Sequence, residues 1–238
     1  MPESGAATND YSETADEYGR AEFTGTMYLA FRDVPWLISQ HVPCGRALDY
    51  GCGAGRSSRL LKRLGFEVSG VDISDAMLET AREIDPAGDY RKIEPARLPF
   101  PDGSFDLAFS SLVFFEIPTI AGMTEAAAEI RRVLKPGGAF ILLIGAEEMY
   151  AHEWLTVKVD YPENRGCKSG DAVRVLLTEV GLELTDYYWT DADYRKVFAD
   201  AGLTVVRLHQ PMGSEADGYP WINEHKVPSF SIYVARKP

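Results

Sequence analysis

The chain has 238 residues, of which 45% are apolar and 25% charged, and its net charge is −12. This composition favours one α/β domain with a sizeable core and excludes a disordered, fibrous or disulfide-stapled chain. The acidic charge disfavours nucleic acid as a partner. The longest apolar stretch, 139–146, is far shorter than the roughly 20 residues that cross a bilayer, and the N-terminus lacks the pattern of a secretory signal. We therefore expect no membrane association and a cytoplasmic location.

The cysteines and histidines show no spacing typical of a metal site or a disulfide framework. They are Cys44, Cys52, Cys167, His41, His152, His209 and His225. We expect no bound metal and a reducing compartment, and either a monomer or a homodimer.

Between residues 46 and 145, strand patterns alternate with helical patterns, which is typical of βαβ units on a parallel sheet. Ser74 or Asp75 is the expected N-cap of the second helix of this region. The predicted strands are 46–50, 66–72, 90–94, 106–111 and 139–146, and the predicted helices are 57–65, 73–84 and 123–134.

The alternation fails after Gly145 for about forty residues, which indicates an insertion. A β-hairpin is predicted there from strands 172–177 and 182–190. A helix at 191–202 and two strands at 203–210 and 229–237 follow, with a loop at 211–228 that is rich in Gly, Pro and aromatic residues.

A glycine cluster follows the first predicted strand. Gly51, Gly53 and Gly55 come shortly after Asp49, and Asp72 ends the second strand. Glycines at this edge of an open α/β sheet let the main chain approach a ligand, and an acidic residue at the end of the second strand accepts hydrogen bonds from a ribose. The alternative is a tight strand-to-helix turn with Asp72 as a helix cap.

The glycine spacing is GxGxG rather than the GxGxxG of dinucleotide sites, which disfavours NAD. GxGxG preceded by an acidic residue resembles motif I of the class I S-adenosylmethionine-dependent methyltransferases. The resemblance extends over 46–145, through VSGVDISDAMLETAR, IEPARLPFPDGSFDLAFSSLVFFEI and EIRRVLKPGGAFIL, and more weakly over the final strands. These motifs are most similar to the small-molecule branch of the family.

The resemblance implies a doubly wound, Rossmann-like seven-stranded sheet with an antiparallel last strand, and an inserted β-hairpin or cap near the acceptor site. It implies a single domain over 1–238. The expected parts are N-terminal lid helices (1–40), a cofactor-binding core (46–145), a substrate cap (146–190), and the last helix and strands (191–238).

The resemblance also implies S-adenosylmethionine as the cofactor. Asp72 matches the ribose-binding acid, Ile73 and Met77 the adenosine-packing positions, and Glu94 the acid that meets the adenine amine. The full set of expected cofactor residues is Tyr11, Tyr18, Asp49, Gly51, Gly53, Gly55, Asp72, Ile73, Met77, Glu94, Ala96 and Ser110. For Tyr11 and Tyr18, a plain surface helix is the alternative to a lid.

The expected activity is methyl transfer to an O or N atom of a small aromatic or heterocyclic metabolite, as in secondary metabolism. Segments 147–189 and 211–228 are expected to form the acceptor pocket. His152, Tyr187 and His225, with Asp160, are candidate bases, and each has a surface or core role as its alternative. Phe115, His152, Tyr187, Trp189 and Trp221 are the expected acceptor contacts. A cofactor-binding regulator or cyclisation catalyst without methyl transfer is the second hypothesis.

Overall fold

The computed structural model describes residues 9–11, 14–20 and 24–238, without the side chains of residues 17 and 20. The described residues form ten strands and seven helices. The strands are β1 (Gly45–Tyr50), β2 (Phe66–Asp72), β3 (Asp89–Lys92), β4 (Phe105–Ser111), β5 (Leu134–Gly145), β6 (Val157–Lys158), β7 (Ala172–Leu177), β8 (Leu182–Tyr187), β9 (Thr204–His209) and β10 (Phe230–Arg236). The helices are α1 (Ala15–Arg20), α2 (Gly25–Arg32), α3 (Val34–His41), α4 (Arg56–Arg63), α5 (Asp75–Ile84), α6 (Ile120–Val133) and α7 (Asp191–Asp200).

Seven strands form one sheet in the order β3-β2-β1-β4-β5-β10-β9. The first five are parallel, whereas β10 runs antiparallel to both β5 and β9. The expected doubly wound, Rossmann-like α/β sheet with an antiparallel last strand is therefore confirmed. Its parallel strands have their carboxyl ends at one edge, where open α/β sheets bind ligands.

Side chains along β5 alternate between the two faces of the sheet, as the pleat requires. Phe140 and Leu142 are buried with α6 and α7 on one face, and Ile141 and Leu143 are buried with α2 and α3 on the other. The near-continuous apolar run that predicted this strand thus reflects burial on both sides.

The predicted elements of the core agree with the structure, with small shifts at their ends. Strand β2 has the predicted bounds, and the Ser74 side chain caps α5 by accepting a hydrogen bond from the Met77 N–H. Helix α6 begins earlier than predicted because the Thr119 hydroxyl accepts from the Gly122 N–H and caps it. Strand β5 begins at Leu134, where its first residues pair with the chain terminus through Gly137 N–H and the Lys237 carbonyl.

The insertion contains the predicted hairpin, β7 and β8, and a third strand that the sequence did not predict. Strand β6 has two residues and pairs with β7 to make a separate antiparallel sheet. Asn164 supports this sheet because its Nδ2 donates to the carbonyls of Val159 (2.8 Å) and Arg174 (2.7 Å). We call residues 146–190 the cap.

The N-terminal helices differ from the predicted lid. Helices α2 and α3 pack on a face of the sheet, and Leu29, Val34 and Leu37 are fully buried there. Helix α1 and the preceding Tyr11 are the described parts of 1–40 that fit the lid prediction. Residues 1–8, 12–13 and 21–23 lie outside the described part of the chain.

Glu224 joins three segments that are distant in sequence. Its buried carboxylate accepts from the Thr26 hydroxyl of α2 (2.7 Å), from the Leu155 N–H of the cap (2.7 Å), and from the Ile222 N–H (2.9 Å) and Asn223 N–H (3.1 Å) in its own loop.

Candidate active site

A cavity of about 510 Å³ lies at the carboxyl ends of the parallel strands. We call it the outer cavity. Its lining comes from the segments that follow β1, β2, β3 and β4, together with Tyr11, Tyr18 and the first turns of α6. This is the edge at which the sequence placed the cofactor, and its size suits a nucleoside-type ligand.

The glycine loop forms the floor of the outer cavity. Gly51, Gly53 and Gly55 have φ values of +72°, +51° and +77°, in the left-handed region that favours glycine. A Cβ at Gly51 would be 2.3 Å from Val113, and one at Gly55 would be 2.6 Å from the Tyr90 hydroxyl. A Cβ at Gly53 would meet protein only at 3.8 Å among the described residues, so this is where the main chain is open to a ligand.

Asp72 is held rigidly at the wall of this cavity. One carboxylate oxygen accepts from the Gly53 N–H (2.7 Å) and the other from the Ser74 N–H (2.9 Å). Asp72 lines the outer cavity, so its carboxylate is placed to accept a hydrogen bond from a ligand hydroxyl. Burial raises the pKa of Asp72, while these backbone bonds oppose that rise.

Asp49 lies beneath the glycine loop and outside the lining of the cavity. Its Oδ2 accepts from the hydroxyls of Ser57 and Ser58, both at 2.6 Å, which ties the start of α4 to the end of β1. Burial raises the pKa of Asp49 to about 6. Its predicted role in cofactor binding is therefore indirect in this geometry, through the position of the loop.

The other predicted cofactor residues divide into two groups. Ile73, Met77, Glu94 and Ala96 line the outer cavity, whereas Gly55 and Ser110 lie outside its lining. The carboxylate of Glu94 is 3.4 Å from the guanidinium of Arg97 and is largely exposed. Ser110 is fully buried in the sheet, and its neighbour at the strand end, Ser111, lines the cavity instead.

Arg56, at the first position of α4, also lines the outer cavity and was missed by the sequence analysis. Its guanidinium donates to the Tyr18 carbonyl (2.7 Å) and lies over the Tyr18 ring at 5.4 Å. Burial lowers the pKa of Arg56. The described lining otherwise carries carboxylates, those of Asp72, Glu94, Glu116 and Glu125.

Glu116 is the most informative residue that the sequence analysis did not single out. It follows β4, and its Oε1 accepts a 2.5 Å hydrogen bond from the Tyr11 hydroxyl. Burial raises the pKa of Glu116 to about 7, against the opposing effect of hydrogen bonds from Tyr11 and Asn9. An acidic residue in the loop that follows an apolar strand at the ligand-binding edge was the available signal, in SSLVFFEI.

A second, smaller cavity of about 40 Å³ lies beside the outer one. We call it the inner cavity. The two cavities share the residues Tyr11, Tyr18, Leu112 and Glu116. The inner cavity is otherwise lined by Met27, Phe115, Gly145, Met149, Tyr150, Val157, Val175, Leu177, Leu184, Asp186 and Phe230.

Asp186 and Tyr150 form a buried polar pair in the inner cavity. The Tyr150 hydroxyl donates to Asp186 Oδ2 at 3.0 Å. Asp186 Oδ1 has no hydrogen-bond partner among the described residues. Burial raises the pKa of Asp186 well above its usual value, and the charge of Glu116 adds to this rise.

Leu112 lies between the cavities with φ +61°, a conformation that costs a bulky residue about 1–2 kcal/mol. Its N–H donates to the Leu143 carbonyl at 2.9 Å, which holds the chain in this turn. Strained residues of this kind are typical of functional sites.

The predicted bases and most of the predicted acceptor contacts lie away from both cavities. His152 packs on Trp154, Tyr187 packs on the core, His225 is exposed, and Asp160 is exposed beside Arg165. Trp189 is buried in the core with its Nε1 3.3 Å from the Ile117 carbonyl, and Trp221 packs against Tyr219 in its own loop. Phe115 lines the inner cavity.

The two segments that were expected to form the acceptor pocket differ in their relation to the inner cavity. The cap contributes Met149, Tyr150, Val175 and Asp186 to the inner cavity, whereas the 211–228 loop contributes nothing to its described lining. Trp189 and Trp221 were expected to contact the acceptor, but their indole N–H groups donate to the Ile117 and Ser214 carbonyls within the protein.

Within the described part of the chain, no group of three His, Cys, Asp or Glu residues could hold a metal ion. No helix in those residues is long and apolar enough to span a bilayer.

The outer cavity fits S-adenosylmethionine on several independent features. Asp72 places a hydrogen-bond acceptor in the cavity for a ribose, and Arg56 supplies a cation for an α-carboxylate. The acidic lining with the Tyr11 and Tyr18 rings suits a sulfonium cation. Ile73, Met77 and Ile93 provide apolar surface for a purine.

The fold and this site define an α/β enzyme with a nucleoside-type cofactor at the switch edge of its sheet. A family model described as "Methyltransferase domain" matches residues 48–142. The chain is 30% identical to N-demethylindolmycin N-methyltransferase of Streptomyces griseus over 220 residues, covering 88% of this chain and 92% of that protein. The chain therefore belongs to the class I S-adenosylmethionine-dependent methyltransferase family, and its cofactor is S-adenosylmethionine.

One further relative and one solved structure are also similar to this chain. A malonyl-[acyl-carrier protein] O-methyltransferase of Serratia marcescens is 33% identical over 118 residues, which span 48% of this chain and 45% of that protein. The crystal structure of an S-adenosylmethionine dependent methyltransferase from Mesorhizobium loti aligns with a TM-score of 0.65 at 21% identity, covering 87% of this chain and 97% of that chain. The last comparison shows the fold alone.

Proposed function

We propose that this enzyme methylates an O or N atom of a small aromatic or heterocyclic metabolite. The observation that carries the proposal is the inner cavity, which shares Tyr11, Tyr18, Leu112 and Glu116 with the outer cavity. An acceptor bound there lies next to a cofactor bound in the outer cavity, and such proximity is the main requirement of a methyl transfer.

The size and charge of the site favour a small acceptor over a polymer. The inner cavity has a volume of only about 40 Å³, and the whole chain carries a net charge of −12. The printed name of the Streptomyces griseus relative also describes a small-molecule N-methyltransferase. Tyr11, Tyr18 and Phe115 support a planar acceptor, because aromatic side chains pack well on such rings.

The residues of the outer cavity have separate roles in this proposal. Asp72 accepts hydrogen bonds from the ribose hydroxyls, and Arg56 binds the α-carboxylate of the cofactor. Bound S-adenosylmethionine supplies an electrophilic methyl carbon whose bond to sulfur breaks, with the electron pair left on sulfur, as the acceptor's lone pair forms the new bond. Glu116 receives the proton that the acceptor atom loses.

The proton role of Glu116 follows from its position and its pKa. It lines both cavities, and burial raises its pKa to about 7, so it is ready to take a proton near neutral pH. The hydrogen bond from the Tyr11 hydroxyl orients its carboxylate.

The proposal is tested by incubating the protein with S-adenosylmethionine and a panel of small amines, phenols, alcohols and carboxylic acids, and by measuring S-adenosylhomocysteine release. Wild-type protein is expected to turn over at least one acceptor, and Glu116→Gln to lose about 10²-fold or more. Glu125→Gln removes another carboxylate of the outer cavity, on α6, and shows whether any acidic residue of the lining would have the same effect. Turnover restricted to polymeric acceptors would overturn the proposal.

Cytoplasmic location and a monomeric or homodimeric state belong to the same proposal. Light scattering during size-exclusion chromatography tests the oligomeric state, and cell fractionation tests the location.

A further inference from the structure

The described lining of the inner cavity combines two carboxyl groups with apolar walls. Glu116 and Asp186 are its acidic members, and it contains no Lys, Arg or His among the described residues. Most of the remaining lining comes from Met, Leu, Val and Phe side chains. A ligand that matches this surface has an apolar body and an end that donates hydrogen bonds or carries positive charge.

Asp186 points to that ligand independently of Glu116. Its side chain is only 5% exposed, and Oδ1 has no partner among the described residues although Oδ2 accepts from the Tyr150 hydroxyl. Leaving a buried acceptor unpaired is costly, and such an atom in a native protein indicates a missing donor. Because Asp186 lines the inner cavity, that donor would enter the cavity.

Resting on the function proposed above, we propose that the inner cavity binds the nitrogen-bearing end of a primary or secondary amine, whose N–H hydrogens are accepted by Glu116 and Asp186. An amine offers at least two donors when protonated, one for each carboxyl group. An alcohol offers a single hydroxyl hydrogen, which only one of the two carboxyl groups can accept, whereas a carboxylate offers none and is repelled by the ionised form of Glu116.

Loss of a proton from the bound amine needs no further reactant. The ammonium form of the acceptor transfers one proton from nitrogen to an oxygen of Glu116, and this frees the nitrogen lone pair. Glu116 becomes neutral and the amine becomes neutral, so total charge is unchanged. Burial, which raises the pKa of both Glu116 and Asp186, makes this transfer more favourable than it is in water.

The test uses size-matched probes, ethylamine, ethanol and acetate, whose binding is measured by ligand-observed NMR with and without S-adenosylhomocysteine. Ethylamine is expected to bind at least tenfold more tightly than ethanol, and acetate not at all. Asp186→Asn and Glu116→Gln each retain an acceptor for the tyrosine hydroxyl and are expected to weaken ethylamine binding by about tenfold, the usual effect of losing a charged hydrogen-bond partner.

The matched control is Asp160→Asn, the same substitution at an exposed cap residue beside Arg165, which is expected to leave ethylamine binding unchanged. Circular dichroism of each variant reports its folding, and Glu116→Gln decides the matter if Asp186→Asn does not fold. Equal binding of ethanol and ethylamine, or equal loss in Asp160→Asn, would overturn the amine assignment. Failure of S-adenosylhomocysteine to bind would instead refute the proposed function, while the titration without it still tests the amine site.

Discussion

The Tyr11 hydroxyl donates a 2.5 Å hydrogen bond to Oε1 of Glu116, a residue 105 positions away in the chain. This bond joins the N-terminal segment to the loop that follows β4, at the wall that the two cavities share. The N-terminal segment therefore also orients Glu116, the residue that we assign to proton transfer, and opposes the rise of its pKa that burial causes.

Tyr11→Phe is expected to shift the ascending limb of the kcat/KM–pH profile to higher pH. The hydrogen bond from Tyr11 lowers the pKa of Glu116, which lies at about 7, so losing this bond raises that pKa. Tyr28→Phe is the control, because Tyr28 packs on Tyr219 outside both described linings. If the pH profile of Tyr11→Phe is not shifted, Glu116 is not the group whose titration controls the rate.

Glu116→Gln is expected to change how stability depends on pH. The pKa of Glu116 is about 7 in the folded protein, above its ordinary value of 4.5, so the folded state keeps a proton that the unfolded state loses. Glu116 thus makes the wild type progressively less stable as pH rises from about 4.5 to 7. The difference in Tm, variant minus wild type, should increase over this window in calorimetry and be constant below it.

Asp72→Ala is expected to weaken S-adenosylhomocysteine binding by roughly tenfold or more, measured by isothermal titration calorimetry, because the ribose hydroxyls lose a charged acceptor. Glu67→Ala, on the same strand but largely exposed beside Arg46, is the control and should bind normally. Gly53→Leu should also impair binding, since its side chain would project into the outer cavity. Unchanged affinity in both site variants would contradict the cofactor position.

Trp189→Ala is expected to destabilise the protein by about 3–5 kcal/mol, the usual range for a buried tryptophan, as measured by urea unfolding. Its indole is buried in the core and near the Ile117 carbonyl, so the sequence-based expectation of an acceptor contact is replaced by a structural role. His152→Ala should change neither stability nor acceptor turnover, because His152 lies outside both described linings. A stable Trp189→Ala protein with a raised KM would restore the original interpretation.

Chelation is expected to leave turnover unchanged. An in-line methyl transfer needs positioning and proton removal rather than a Lewis acid, and the described residues include no metal-binding cluster. The measurement is the initial rate after dialysis against EDTA. Loss of activity that one divalent ion restores would show that a metal takes part.

The sequence predicted the sheet core well because its signals are local. The bounds of β2, the Ser74 cap and the glycine loop each depend on a few neighbouring residues. The inner cavity could not be predicted from the sequence. Its hydrogen-bonded pairs, Tyr11 with Glu116 and Tyr150 with Asp186, are distant in sequence and come together only in the folded chain.

The aromatic residues were a poor guide to the acceptor site for a related physical reason. Trp189 and Trp221 are as suitable for packing and internal hydrogen bonds as for stacking on a ligand, and composition alone does not separate these uses. Acidic residues at the end of an apolar strand, or in the loop after it, carried more information. Asp72, the last residue of β2, was recognised on that basis, and Glu116, in the loop that follows β4, could have been.

The carboxylate of Glu224 has a consequence for engineering. Glu224 lies in the 211–228 loop and accepts hydrogen bonds from Thr26 of α2 and from the Leu155 N–H of the cap. These three segments are therefore linked and have to be exchanged together. Grafting the cap alone onto another methyltransferase scaffold would leave the Leu155 N–H without its acceptor. A chimera that is meant to exchange acceptor preference therefore has to carry Thr26, the cap and Glu224 together.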